Sequence, residues 1–395
     1  MTNNNIFDIE NGVLKKYNGN ESVVSIPNSV TVIGDYAFAD CEGLISVEIP
    51  DTVTYIGTAS FYGCTSLTNV EIPNSVTSFG ERVFNDCTSL KIVHLPNSIV
   101  SISTGIFKGC SNLSTIEIPN GVTSIHSGAF SGCASLTSIV IPNTVTDIEG
   151  GAFRFCDGLT SIVLPDSITS IERELFRGCT NLASIEIPDC ATYIGYGAFR
   201  DCTNLTTLKI PNSISSICDS AFYGCSSLTS IVIPDGVASI ERYTFYDCES
   251  LTSVVLPNSI TSIGDSAFSC CSSLTSIVIP NSVTSLGYSV FMGCSSLTSI
   301  VIPDGITSIE LCTFSICRNL TSVVLPSSIT SIGESAFSGC ENLTSIVIPK
   351  SVTSIGNNAF SGCKNLTSIE IPRHVANIID LAFNRCKNLK NIKKL

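Results

Sequence analysis

Twenty cysteines and three histidines are the side chains of this 395-residue chain best suited to holding a metal or attacking a substrate. Zinc sites use closely spaced thiolate pairs, and a nucleophilic thiol needs a neighbouring base. Neither pattern is present. The chain has no Cys-x-x-Cys, and His94, His126 and His374 fall at unrelated places. Sixteen cysteines instead recur at one fixed interval from Cys41 to Cys386, leaving Cys190, Cys218, Cys270 and Cys312 outside the series. A column of single cysteines reads as packing, because free Cys behaves as a small buried hydrophobe. No His-Glu-x-x-His, Gly-x-Ser-x-Gly or phosphate-loop motif occurs. Ser and Thr are abundant, but no base accompanies them at matching positions. Glu48, Glu71 and Glu117 share one position, with His94 between them. Aligned carboxylates can bind a divalent cation through oxygen, or simply form a solvated acidic strip. The strip is the reading adopted: no catalytic residue, metal site or cofactor is expected.

The elements that position these residues follow from one period. Every proline belongs to a single series, Pro27, Pro50, Pro73 and onward to Pro372, spaced by 23 without insertion or deletion. Phe follows eleven residues later in each of the sixteen units, Cys fourteen later and Leu seventeen later. Self-similarity of this kind signals a repeat architecture. In the unit that begins at Pro257, Leu274, Ile277 and Ile279 read as a half-buried strand that the next proline ends. Ile260-Thr-Ser-Ile263 reads as a second extended segment, and Ala267-Phe268-x-x-Cys271 as one tight helical turn. About eight of the 23 positions point inward. One unit cannot bury them alone, so neighbours must stack. The expected fold is a β-rich repeat solenoid with short strands, one helical turn per coil and shallow curvature.

The unit resembles the BspA-like, or Treponema pallidum type, leucine-rich repeat, whose pattern runs Leu-x-x-Ile-x-Ile-Pro-x-x-Val-x-x-Ile-Gly-x-x-Ala-Phe-x-x-Cys-x-x-Leu. The resemblance covers about residues 21–392. It implies a right-handed leucine-rich repeat solenoid and non-enzymatic binding, and secreted members of the family are adhesins.

Both ends read as caps. Residues 1–26 hold Phe7, Ile9, Val13 and Leu14 around Asn11-Gly12, a strong hairpin signal, followed by the first strand. The solenoid itself is placed at 27–386. Residues 387–395 form a basic cap, in which Lys390, Lys393 and Lys394 would discourage strand addition. Glu21 stands where other units carry a core Leu. The net charge of −13 argues against a nucleic-acid partner, which needs a basic surface. No apolar run approaches the roughly 18–20 residues of a membrane helix. No basic start followed by an apolar run opens the chain, so the expectation is a cytoplasmic protein, or surface display by a non-classical route.

In a near-perfect repeat, specificity belongs to outward positions that deviate. One is two residues before proline, where Val232, Val255, Val278, Val301, Val324 and Val347 would align beside a serine ladder. The same position is Glu, His or Lys in several earlier units. The other follows the repeated Phe and carries Arg154, Arg177, Arg200, Tyr223 and Tyr246, with Arg173, Tyr196 and Arg242 nearby. Stacked arginines repel unless neighbours such as Glu174 and Asp201 compensate. Arg and Tyr are enriched in interface hot spots. The leading expectation is a monomeric, non-enzymatic scaffold or adhesin-like module for a protein partner. Carbohydrate binding along the Ser/Thr face is a weaker alternative, since Trp is absent, and a self-associating structural element is a third.

Overall fold

The computed structural model describes residues 6–394. Residues 1–5 and 395, which belong to the two expected caps, lie outside the described part. The chain divides into two compact units, Met1–Ala191 and Thr192–Leu395. Each is a β-solenoid built from the 23-residue coil, with almost no helix.

Most coils contribute two short strands, which pair with their counterparts in neighbouring coils as two sets of parallel ladders. The first precedes proline. Ser230–Val232 pairs with Ser253–Val255, setting Ser230 opposite Ser253, Ile231 opposite Val254 and Val232 opposite Val255. Partners in successive coils differ by 23, so each side chain sits beside its own counterpart in the next coil. Proline closes the ladder because it lacks an N–H. The second set follows proline and pairs Ser239–Ile240, Ser262–Ile263 and Ser285–Leu286. The other unit repeats the scheme, with Ser46–Glu48 against Asn69–Glu71 and Ser101–Ile102 against Ser124–Ile125. Between these strands the chain is held by amides that donate backward, as from Thr146 to the Thr123 carbonyl at 2.9 Å.

The expected helical turn takes the form of overlapping tight turns, for a reason visible in its hydrogen bonds. Ala129, Ser131 and Cys133 donate three residues back, to His126, Gly128 and Phe130. Gly128, Phe130 and Gly132 donate forward instead, to Gly150, Ala152 and Arg154 of the following coil. A helix would direct every amide into its own chain. Here alternate amides tie the turn to its neighbour. The arrangement requires left-handed backbone at the residues nine and thirteen after proline. At the thirteenth position all sixteen residues have positive φ, from Asp40 at 57° to Arg385 at 62°. Gly occupies many of these places because it adopts that conformation without steric cost.

The core is a set of identical columns. Phe38, Phe61, Phe84, Phe107, Phe130 and Phe153 are fully buried and stack with centroids 4.9–5.7 Å apart. The second unit continues the same geometry from Phe199 to Phe383. Burying each such ring contributes about 2–3 kcal/mol. The repeated thiols lie beside the rings. Cys133 donates its S–H to the Phe107 carbonyl at 3.3 Å, and Cys156 to that of Phe130 at 3.2 Å. All twenty cysteines are free thiols. Burial pushes Cys179 and Cys340 up to about 12, and the Cys133 thiol well above its usual value.

At the N-terminus, β1 (Phe7–Glu10) and β2 (Val13–Tyr17) form an antiparallel hairpin around Asn11 and Gly12, both with positive φ. β2 then pairs in parallel with Val32–Ile33. Tyr17 stacks on Phe38 with centroids 5.0 Å apart, taking the place of a preceding Phe. Its hydroxyl donates to the Glu21 carboxylate, so the acid in the core-Leu position has a partner. Burial, followed by that hydrogen bond, raises the Tyr17 phenol to about 12. At the other end Asn391–Lys394 pairs in parallel with Ser368–Ile371, and Lys393 meets Glu370 at 2.8 Å.

Candidate functional site

In the first unit, the turn that follows the repeated Phe places Arg154 and Arg177 around one carboxylate. Arg154 Nη1 donates to Glu174 Oε2 at 2.9 Å, and Arg177 Nη1 to Glu174 Oε1 at 2.6 Å. The Glu174 side chain is only 12% exposed, so this ion pair is more than a surface contact. Both guanidiniums also lie over the Phe155 ring, at 4.7 and 5.7 Å. Phe155 is 41% exposed and occupies a left-handed position that is Gly or Asp in most coils. Its ring fits because Gly178 has no Cβ: one built there would meet Phe155 Cδ1 at 2.3 Å. Arg173 stands apart from this cluster, exposed above Gly150.

A groove of about 670 Å³ opens beside the cluster. Gly105, Gly128 and Gly151, all left-handed, form its floor. Lys108 and Arg154 flank the floor on the turn side. Asp147 lines it from the strand Asp147–Ile148, and Glu149 and Glu172 from the residues that directly follow such strands. Glu149 Oε1 lies 2.7 Å from His126 Nδ1, which holds the carboxyl below the usual carboxylate range.

The second unit carries the aromatic members. Tyr223 and Tyr246 stack with centroids 4.8 Å apart, and Tyr243 meets Tyr246 edge-on at 5.9 Å. Arg200 lies 4.3 Å above the Tyr223 ring and 3.4 Å from Asp201. Arg242 contacts the Tyr288 hydroxyl at 3.4 Å and Asp265 at 3.3 Å. Cys270 and then burial push the Tyr246 phenol up. Tyr196 is exposed and joins none of these contacts.

The six outward valines of this unit are between 53% and 81% exposed. Val232 lies opposite Val255 and Val301 opposite Val324, while Val347 lies opposite Glu370, where the stripe ends. In the first unit Val140 and Val163 repeat the motif as a bridged pair, 81% and 80% exposed. The sequence reading passed over that pair although it occupies the same column. It also passed over Phe155, Lys108 and the glycine floor. A large side chain amid a Gly/Asp column was the available signal for Phe155. Glu48, Glu71 and His94 do align along one sheet face. Among the described residues no three of His, Cys, Asp and Glu gather as metal ligands. Among them, too, no helix is long and apolar enough to cross a membrane.

Comparison with known proteins agrees with this architecture. A leucine-rich repeat protein from Bacteroides ovatus shares 29% identity over 97% of this chain and 94% of its own, with a TM-score of 0.67. A leucine rich cell surface protein from Faecalibacterium prausnitzii shares 27% over 97% of this chain and 90% of its own, with a TM-score of 0.47. No curated protein sequence matches. The family model for the BspA type leucine rich repeat region matches residues 8–137, 123–241, 215–332 and 307–394, which together span the coils described above. The chain is therefore a member of the BspA-type leucine-rich repeat family.

Proposed function

We propose that this protein is a non-enzymatic scaffold that binds a protein partner through the sheet face of its second unit. The observation that carries the reading is the valine stripe. Six valines at one repeat position stand more than half exposed, with Val232 opposite Val255 and Val301 opposite Val324 on parallel strands, where a solvated face would carry polar residues. Contiguous apolar surface of this kind marks interaction sites. The serine ladder beside it, Ser230 opposite Ser253 and Ser299 opposite Ser322, supplies hydroxyls for a polar rim. The Arg200–Tyr223–Tyr246 stack adds side chains suited to anchoring contacts.

The test compares partner capture by the intact protein and by the double variant Val278→Glu with Val301→Glu. Both valines face solvent, so the variant keeps its melting temperature. Capture is expected to fall at least tenfold. Undiminished capture by a folded double variant would remove the stripe from the function.

A further inference from the structure

The groove of the first unit has a composition that selects its occupant. Its floor exposes no side chain, and the floor amides are already satisfied: Gly105 donates to Ser127, Gly128 to Gly150 and Gly151 to Arg173. Recognition therefore falls to the walls. Arg82 and Arg173 stand at the two ends and Lys108 on one side, and among the described residues none of the three is in an ion pair. Asp147 and Glu172 line the same groove, and among the described residues neither of them is in an ion pair. Among the described residues the Glu172 carboxylate accepts only from the Ser170 hydroxyl, at 2.8 Å. The groove thus presents charges of both signs that the protein leaves unmatched.

Length and polarity narrow the choice. Arg82 and Arg173 lie four coils apart, which at the spacing of parallel strands is about 20 Å, or roughly six residues of extended chain. Successive side chains of an extended chain point to opposite sides. A uniformly acidic peptide would face Asp147, Glu149 and Glu172 as well as a protein of net charge −13. A uniformly basic one would face Arg82, Lys108 and Arg173. Alternation satisfies both signs at once, with carboxylates toward Arg82, Lys108 and Arg173 and ammonium groups toward Asp147 and Glu172. Complementarity of this sort chooses between partners more than it adds affinity. The groove has no aromatic lining on which a sugar ring could stack.

We propose that this groove binds an extended peptide segment whose residues alternate between acidic and basic. The inference rests on the protein-binding reading above and names the chemistry of one segment of such a partner. The glycine floor gives a clean way to test it. The same left-handed position holds Tyr36 at φ 58° and Tyr243 at φ 56° in other coils, so a side chain is compatible with the backbone there. A Cβ added at Gly128 would meet only Ser131 Cβ, at 3.8 Å. Gly128→Tyr should therefore fill the groove without a clash, at the modest backbone cost that Tyr36 and Tyr243 already bear in their own coils.

The experiment measures fluorescence anisotropy of four labelled hexapeptides against the full chain: alternating glutamate–lysine, hexaglutamate, hexalysine, and three glutamates followed by three lysines. The alternating peptide should bind at least tenfold more tightly than the other three. Gly128→Tyr should weaken it at least tenfold in a chain that still folds, its melting temperature lowered only by the cost of a side chain at a left-handed position. Lys108→Glu, an exposed substitution that leaves the floor untouched, should weaken it similarly and decides the matter if the tyrosine variant is unstable. Equal affinity for the block or uniform peptides, absence of binding, or indifference to both substitutions would overturn the proposal. The valine variants lie in the other unit, so lost capture there with intact peptide binding, or the reverse, shows which reading has failed.

Discussion

Glu174 accepts from two arginines that would otherwise repel each other, and it does so with little access to water. Removing one partner of such a group costs more than the group's net contribution, because the remaining charges lose their counterion. Glu174→Ala is expected to destabilise the first unit by about 2 kcal/mol, read by denaturant titration. Glu174→Gln should cost less, since an amide oxygen still accepts from one guanidinium. Equal stability of the alanine variant would mean that Phe155 alone holds the arginines. At this scale the sequence was partly readable. The arginines stood out because they break a serine column. Phe155 did not, since its importance depends on a backbone conformation and on the missing Cβ of Gly178.

The hairpin of β1 and β2 does for the first coil what a preceding coil would do. Tyr17 covers the face of Phe38, and Phe7 covers Tyr17 at 5.6 Å. Tyr17→Ala should therefore cost about 3 kcal/mol in a denaturation experiment. Tyr17→Phe keeps the ring and should cost less. Matching losses in the two variants would place the effect in the hydroxyl rather than in the stacked ring. Strands were legible in the sequence because alternation and β-branching survive in every copy. The turn was harder to read. Ala-Phe-x-x-Cys spaces its apolar residues as a helical turn does, and only the sharing of amides between coils separates the two. A clue existed in the thirteenth column, where Gly and Asp recur as left-handed backbone prefers.

Across the whole molecule, free thiols make the fold sensitive to alkali. Burial raises at least twelve of them in the folded state. An unfolded thiol titrates near about 8.5. Below that value both states keep their protons and the thiols favour neither. Above it the unfolded chain sheds protons that the folded chain retains, so stability falls by about 1.4 kcal/mol per pH unit for each thiol. With reductant present, the melting temperature should stay level to about pH 8 and drop steeply beyond about pH 9. A level profile to about pH 10 would mean that the thiols are reached by water. The cysteine column was legible as packing, whereas its electrostatic consequence needed the burial of each sulfur. A different consequence follows from the direction of the inter-coil bonds. Turn amides such as that of Phe130 donate toward the later coil, while those such as Thr146 donate toward the earlier one. Peptide dipoles on the two flanks oppose each other, unlike those of a helix, which add along its axis. The amides of the two flanks therefore offset one another as coils are added, instead of building up a helix-like charge at the two ends.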